Sequence, residues 1–412
     1  MESTYDVAIV GGGIAGGELA TRLAREGLGV LVLEKTTTYP DKVRGEWFSP
    51  WGVVELKRLG LYDLLVDAGG HHVTRHATFG DDIDDPQAAL NGAMDLTQLV
   101  PGAPGPLCIR HTHACQVLTD AAAEAGATVL RGVSRLHVCP GPQPSVEFVH
   151  DGDAHTAHCR MIVGADGRAG VSRSQAGIGE HRDEPHHLFS GLLVDDAHGW
   201  PEDLQTKGTE GNINFLAFPQ GNGRVRLYLG YSYEDKTLLS GAGAEERFLE
   251  AFRFETVPHS DALANATPIS ECHSYPNEDT WTDEPFVDGL VLVGDAAGHN
   301  DPIIGQGLSI TTRDVRFVSE ALLENASWST DIFREYSEER YERMRRLRFA
   351  GRMQSVLDAE FGPGCVERRR RIRERSQEDP TLTMPVAASM VGPEVLPAEI
   401  YTEEHWARVF GE

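Results

Sequence analysis

The opening segment constrains the fold more than any other. Tyr5-Asp6-Val7-Ala8-Ile9-Val10 is a short apolar run with β-branched residues, and it enters Gly11-Gly12-Gly13-Ile14-Ala15-Gly16-Gly17 directly. Helically spaced apolar residues follow (Ile14, Leu19, Ala20, Leu23, Ala24), then the break Gly27-Leu28-Gly29, then Val30-Leu31-Val32-Leu33 and Glu34. A strand, a glycine turn, a helix and a second parallel strand within about 30 residues form the context that a dinucleotide fingerprint requires. Gly11 permits the tight turn, Gly13 lets backbone approach a pyrophosphate, and Gly16 lets helix and strand pack closely. The helix N-terminus offers unpaired N–H groups and partial positive charge. Glu34, about 20 residues on, is placed to accept hydrogen bonds from an adenosine ribose. The segment implies an ADP-containing cofactor.

At 412 residues the chain can bury a large core and is expected to form two or three domains. Its 37 Lys+Arg against 63 Asp+Glu give a net charge of −26. Such an excess repels nucleic acid and anionic membranes, so neither is expected as a partner. No apolar run is long enough for an integral membrane segment. The N-terminus lacks the basic region of a secretory leader, and a cytoplasmic location is expected. Cys108, Cys115, Cys139, Cys159, Cys272 and Cys365 form no CxxC pair and no zinc spacing, so no metal site is expected. In so acidic a chain an anionic cofactor needs local positive charge, and Lys42 and Arg44 follow the second strand.

Along the chain, residues 41–51 are rich in turn formers, with Trp47, Phe48 and Trp51 as core anchors or walls of an aromatic pocket. Helical spacing resumes from Val53 to Leu65. Residues 80–106 read as loop, with Asp81-Asp82-Ile83-Asp84-Asp85 as a solvated turn rather than a calcium loop. A helix is expected from Ile109-Arg110 to Ala125, a strand over 127–130, and an antiparallel hairpin or meander from Val133 to Met161. That leads into Ile162-Val163-Gly164-Ala165-Asp166-Gly167-Arg168. Residues 187–274 alternate as a mostly antiparallel sheet, with a hairpin turn at Gln220-Gly221-Asn222-Gly223. A buried strand, Leu290-Val291-Leu292-Val293, enters Gly294-Asp295-Ala296-Ala297-Gly298-His299-Asn300-Asp301-Pro302-Ile303-Ile304-Gly305-Gln306-Gly307. A helix from Leu308 to about Asn325 follows, and everything after Ser329 is helical and Arg-rich. Arg368-Arg369-Arg370-Arg371, among interspersed Glu, reads as a solvated helix face.

Three glycine–acid turns thus stand at the ends of three strands: GGGIAG at Gly11, GADGR at Gly164 and GDAAG…DPxxGQG at Gly294. In that order and spacing they resemble the FAD-dependent group A monooxygenases, the p-hydroxybenzoate hydroxylase-like aromatic hydroxylases. GDAAG followed by DP is also similar to geranylgeranyl reductase-like enzymes and, in part, to flavin-dependent halogenases. The resemblance implies an α/β (α+β) fold: a Rossmann-type FAD-binding domain with a parallel sheet, an antiparallel substrate domain and C-terminal helices. The domains expected are 1–80, 107–180 and 285–330 for FAD, 81–106 and 181–284 for substrate, and a helical region over 331–412.

The resemblance further implies that Gly11, Gly13, Ile14, Ala15 and Gly16 cradle noncovalent FAD at its pyrophosphate, with Glu34 and Lys35 at the adenosine end. Arg44 and Arg110 fall where the family sets arginines against the phosphates and ribityl chain. Asp166 and Gly167 belong to the turn associated with FAD and the pyridine nucleotide. Asp295 meets a ribityl hydroxyl, Pro302 flanks the flavin ring, and Gly305, Gln306, Gly307 and Leu308 bring a helix N-terminus to it. The activity implied is hydroxylation of a small aromatic, phenolic or polyketide-type substrate with NAD(P)H and O₂, through a C4a-hydroperoxyflavin. An epoxidase, an ene-reductase or a halogenase on the same scaffold stands as the alternative. Candidate substrate-lining residues are Trp47, Phe215, Tyr228, Tyr231 and Asn300. His299, with an ordinary pKa near ~6.5, is positioned to assist phenol deprotonation. A monomer or a homodimer is compatible with this reading. Three departures stand out: Gly298 where the hydroxylases have His, Ser309 where Asn is common, and Gly170 where Ser is usual.

Overall fold

The computed structural model describes residues 2–41, 43, 45–362 and 364–411. Strand β1 (Val7–Val10), helix α1 (Ile14–Arg25) and strand β2 (Val30–Glu34) form the expected crossover. Helix α2 (Pro50–Leu59), strand β3 (Arg75–Gly80), helix α3 (His111–Glu124) and strands β4 (Thr128–Arg131) and β5 (Met161–Gly164) come next. Then come strands β6 (His187–Asp195), β7 (Leu204–Glu210), β8 (Ile213–Gly221), β9 (Arg224–Ser232) and β10 (Leu290–Leu292). Helices α4 (Gly307–Glu324), α5 (Arg334–Asp358) and α6 (Cys365–Glu378) follow. Among the described residues no helix is long and apolar enough to cross a membrane.

The first sheet runs Phe286–Val287, β10, β5, β1, β2, β4, parallel except at the first pair. Every residue of β1 and β2 is buried, as a sheet covered on both faces demands. Val7, Ile9, Val30 and Val32 face α1, α3 and α4 through Leu19, Leu23, Leu118, Val315 and Val318. Their alternates Ala8, Val10, Leu31 and Leu33 face a ribbon built on Val138, Val146, Phe148 and Ala157. β10, β5 and β1 are neighbours, so their carboxyl ends, and the three turns that leave them, lie side by side.

The second sheet contains β6, β9, β8, β7 and β3 in that order, antiparallel except for β7 beside β3. Asn222 and Gly223, with φ of 57° and 74°, turn β8 into β9 as a two-residue hairpin, where positive φ suits strand twist. β3 was expected with the cofactor-binding part. It joins this sheet instead, pinned by a two-pronged Arg75–Asp203 ion pair at 2.6 and 2.8 Å.

Two further expectations need correction. Within 80–106 lies a helix, Pro86–Asn91, whose Asp85 side chain accepts from Ala88 N at 2.9 Å. The Asp-Pro start was a legible signal for it. The arginine run of α6 and the acidic cluster at 81–84 are not separate solvated segments. Arg369, 6% exposed, donates to Asp81 at 3.0 Å, and Arg373 donates to Asp82 at 2.6 and 2.8 Å. Each neutralises the other.

At the α1–α4 crossing Glu18 is fully buried and accepts from Thr312 Oγ1 at 3.0 Å, while its other oxygen lacks a partner among the described residues. Burial pushes its carboxyl up to about 8, against which the Thr312 bond works only in part. A carboxyl that holds its proton in the folded chain but loses it in the unfolded chain loses stability as pH rises from its ordinary value through about 8. Glu18→Gln keeps the acceptor and removes the titration. We expect equal thermal stability of both proteins near pH 5, and a gap of a few kcal/mol in favour of the variant by pH 8, measured by calorimetry across pH. Parallel curves would place the proton elsewhere.

Candidate cofactor and substrate site

Each turn explains its glycines by close approach. Gly11 has φ of 103°, and a Cβ there would lie 2.4 Å from Ala165 O, so the first and second turns touch. A Cβ on Gly16 would lie 1.9 Å from Gly11 O, which forces glycine where α1 packs on its own turn. At Gly13, the residue that begins α1, a Cβ would meet nothing within 4 Å, and no side chain caps the helix. Ile14 and Ala15 are buried in the first turn of α1.

Glu34 accepts from Gly12 N at 2.8 Å and from Thr36 N and Oγ1 at 2.8 and 2.7 Å. Of a carboxylate's roughly four acceptor positions, about one remains for a ribose. Tyr39 donates its hydroxyl to Gly12 O, and the Arg131 guanidinium lies 4.5 Å from the Tyr39 ring centre. Tyr39 and Arg131 stack beside the first turn, and no sequence motif marks either. Lys35 is exposed. Arg44 lies outside the described residues. Arg110 pairs with Asp41, and its Nε is buried without a partner among the described residues.

In the second turn Asp166 Oδ2 accepts from Ser172 N at 2.9 Å and Oγ at 3.0 Å, and Oδ1 is buried without a partner among the described residues. A Cβ on Gly170 would lie 2.1 Å from Asp166 Cγ, so the departure from Ser makes room for the carboxylate. Gly167 turns with φ of 72°. Arg168 Nε donates to Asp295 at 3.1 Å and ties the second turn to the third.

The third turn is clamped from behind. Asp314 of α4, fully buried, accepts from Gly294 N at 2.9 Å, Arg340 Nε at 3.0 Å and Arg343 Nη2 at 2.7 Å. Arg340 Nη2 also donates to Gly298 O at 2.9 Å. Gly298 has φ of 112°, and a Cβ there would lie 2.5 Å from Thr280 O, so histidine cannot stand at that position. His299 is drawn to the same strand: Thr280 Oγ1 accepts from its backbone N at 3.1 Å and bonds its Nδ1 at 2.9 Å. Burial, with the Arg168 charge adding, pushes this imidazole down to about 3. The ring is neutral at physiological pH, and its Nδ1 shares a hydrogen bond with the Thr280 hydroxyl. Its Nε2 is buried without a partner among the described residues. Its basicity is thus well below that of an ordinary histidine.

Asp301 accepts from Ile303 N at 2.9 Å and starts the single turn Pro302–Ile304. Gly305 has φ of 65°, and a Cβ there would lie 3.4 Å from the Trp47 ring. The Gln306 side chain locks this loop: it accepts from Trp51 Nε1 at 2.8 Å and donates to Ile304 O at 2.6 Å and Ser389 O at 2.9 Å. Helix α4 then begins without a side-chain cap; at Gly307 a Cβ would meet nothing within 4 Å, and Leu308 is buried against Gly45. Ser309 bonds Ser49 Oγ at 2.8 Å, and a Cβ on Gly52 would lie 2.2 Å from Ser309 Oγ, so the larger Asn has no room there.

The substrate-lining residues divide by strand alternation. Phe215 and Tyr231 point to the far face of the second sheet, packed with Phe248, Phe252 and Phe254. Tyr231 there bonds Ser190 at 2.9 Å. They correct the expectation: they do not share a face with Tyr228. Tyr228 faces the other way, with Phe189, Leu216, Ile303 and Ile304. Trp47 stands at 5.9 Å from Phe218 and donates to Gln205 Oε1 at 2.7 Å. Asn300 is buried beside His299. Glu46 and Arg226, both buried, form a two-pronged ion pair at 2.8 and 2.9 Å between the loop before α2 and β9, which sequence reasoning did not single out.

The residues present fit FAD. Two helix N-termini, both uncapped and both open at their glycines, face the turns, and buried unpaired atoms of Asp166 and His299 lie in those same turns. The comparisons agree. The family described as FAD binding domain matches residues 4–349. Menaquinone reductase of Mycolicibacterium smegmatis is 25% identical over 361 residues, 82% of each chain. Squalene epoxidase ERG1 of Saccharomyces cerevisiae is 36% identical over 348 residues, 76% of this chain and 68% of that one. The crystal structure of p-nitrophenol 4-monooxygenase PnpA from Pseudomonas putida DLL-E4 shares the fold at TM-score 0.77 and 19% identity, over 94% of this chain and 97% of that one.

Two glycine variants separate fold from cradle. Gly13→Val points into open space, so the apoprotein should melt within a few degrees of wild type while FAD affinity falls at least about tenfold. Gly16→Val meets backbone and should lower the melting temperature of the apoprotein itself. Calorimetry with flavin fluorescence titration checks both; undiminished FAD binding in Gly13→Val would place the pyrophosphate elsewhere.

Proposed function

The chain belongs to the FAD binding domain family and is an FAD-dependent oxidoreductase, and from that premise we propose a monooxygenase that uses NAD(P)H and O₂ to hydroxylate a small aromatic, phenolic or polyketide-type substrate. The observation that carries this reading is a continuous aromatic wall. Trp47 to Phe218 is 5.9 Å, Phe218 to Tyr228 is 6.1 Å and Tyr228 to Phe189 is 6.2 Å between ring centres. Gly305 of the cofactor loop packs against Trp47 at its end. Flat rings offer a flat apolar substrate large contact area at low entropic cost.

Bound FAD supplies hydride acceptance and oxygen activation. In this reading the chain's own residues bind and orient it. Backbone N–H groups of Gly13, Ile14 and Ala15 meet the pyrophosphate, with Gly11 and Gly16 shaping the turn and Arg44 and Arg110 near the phosphates. Glu34 and Lys35 stand at the adenosine end, and Asp295, Asp166 and Gly167 along the ribityl chain. Pro302, Gly305, Gln306, Gly307 and Leu308 carry the uncapped α4 end to the ring, where partial positive charge favours an anionic reduced form. Trp47, Tyr228 and Asn300 remain as substrate contacts. Burial holds the Tyr228 phenol well above its ordinary value, so it acts as a hydrogen-bonding phenol and not as a phenolate. Ile303, Ile304, Met344 and Leu347 form the apolar backing that excludes water. The single dinucleotide fingerprint suits a transient NAD(P)H in place of a second resident nucleotide.

The relatives named menaquinone reductase and squalene epoxidase favour a second reading, reduction or epoxidation of an apolar alkene against the same wall. One experiment decides. Purified protein is offered NADPH and a panel of phenols, polyketides and alkenes under ¹⁸O₂. A monooxygenase consumes NADPH and O₂ one to one and puts one ¹⁸O atom into the product. NADPH use without O₂ uptake makes it a reductase, and halide dependence makes it a halogenase.

Gly305→Asp tests the loop. Its left-handed φ of 65° tolerates Asp, and its Cβ fits beside Trp47. A carboxylate there opposes uptake of negative charge at the α4 end. Anaerobic stopped-flow reduction by NADPH should slow about tenfold, with a smaller change in affinity for oxidised FAD. An unchanged rate with flavin fully bound would remove the loop from the ring.

A further inference from the structure

His186 and His187 open strand β6, and Asp301 belongs to the loop that carries Pro302. These three side chains, 114 or more positions apart across the two groups, converge: one ligand atom from each lies within 4.8 Å of the others. His186 Nε2 is 3.3 Å from Asp301 Oδ2, and His187 Nε2 is 3.6 Å from Asp301 Oδ1. A tetrahedral zinc with ligands at about 2.0–2.1 Å has ligand-to-ligand edges of about 3.3 Å. We propose that His186, His187 and Asp301 form a binding site for a divalent transition ion of the zinc class, joining the second sheet to the cofactor loop.

The surroundings support an ion. The two imidazoles are 2.6 Å apart at Nδ1, a spacing that one shared proton satisfies, so an ion held by both Nε2 atoms displaces the second ring proton and binds better as pH rises. Asn277, fully buried, sets its amide nitrogen 2.7 Å from His187 Nε2, and its Oδ1 lacks a partner among the described residues. Half a turn of that amide, whose O and N are assigned from hydrogen bonding, offers a fourth oxygen donor. The other groups that bear on the cluster are Asp183 and Glu360 at His186, Arg168 at Asp301 and Arg348 at Asp279. Asp279 itself accepts from Asp301 N at 2.9 Å. His187 and Asp301 are 1% and 2% exposed in their side chains, while His186 is 46% exposed and gives an ion its entry. Two imidazoles and one carboxylate suit zinc, cobalt or nickel better than magnesium or calcium.

The test uses the FAD-loaded chain, freed of metal with a chelator and titrated with Zn²⁺ by calorimetry at pH 8, with Co²⁺ difference spectra in parallel. Wild type should bind one equivalent of Zn²⁺ and show tetrahedral Co²⁺ bands. His186→Gln alters the half-exposed ligand, so fold and flavin content, read from flavin absorbance, should stay at wild-type levels. It should weaken Zn²⁺ at least about tenfold and abolish the Co²⁺ bands. His187→Asn should do the same. The absence of a one-equivalent Zn²⁺ site at micromolar concentration, or equal affinity in wild type and His186→Gln, overturns the proposal and assigns any binding to other surface histidines.

Discussion

The site depends on one buried carboxylate. Asp314, with no solvent exposure, holds the backbone N–H that starts the third turn and both guanidinium groups that reach in from α5. Arg340 then holds the Gly298 carbonyl, and Tyr336 of the same helix donates to Leu292 O at 2.8 Å, two residues before Gly294. The strand end, Gly294 and Gly298 are thus fixed from behind by a helix outside the first sheet. Removing one member of such a buried group leaves uncompensated charge, a loss of about 3–5 kcal/mol. The C-terminal region is therefore part of the cofactor scaffold.

With the third turn fixed, the rest of the site follows by contact. Arg168 ties Asp295 to the second turn, and Gly11 packs on Ala165 to join the first. Gly298 packs on Thr280, which brings His299 with it, and the loop continues through Asp301 to Gly305 against Trp47. The three departures from the resembling family are all matters of space. Gly170 admits the Asp166 carboxylate, Gly298 admits the 280–281 strand, and Ser309 admits Gly52 of α2. At the aromatic face, strand alternation selects Tyr228 and Phe218 and turns Phe215 and Tyr231 away.

The three turns and the parallel strands under them were legible in the sequence because their physics is local: each is a strand end, a glycine and a helix start within a few residues. Long-range pairings were not legible. Arg369 meets Asp81 across 288 positions, so each of those charged segments read alone as solvated, and no local pattern joins Arg226 to Glu46 across 180. Which face of β8 and β9 would meet the cofactor part also required the register, because alternation marks two faces without saying which is which. His299 was visible as a histidine, but its neutral state came from burial against Thr280, a strand 19 positions away. The zinc-class cluster escaped for the same reason: adjacent histidines and a distant aspartate have no spacing to recognise.

The most direct measurement is the FAD dissociation constant of Asp314→Asn, taken by fluorescence titration of the apoprotein with circular dichroism to verify its fold. The variant keeps the shape and one acceptor but loses the charge that holds Arg340 and Arg343. If the clamp positions the third turn, FAD affinity falls at least about tenfold while the sheet signal is retained. Wild-type affinity in a folded variant would show that the turn holds its place without the clamp and would contradict the account.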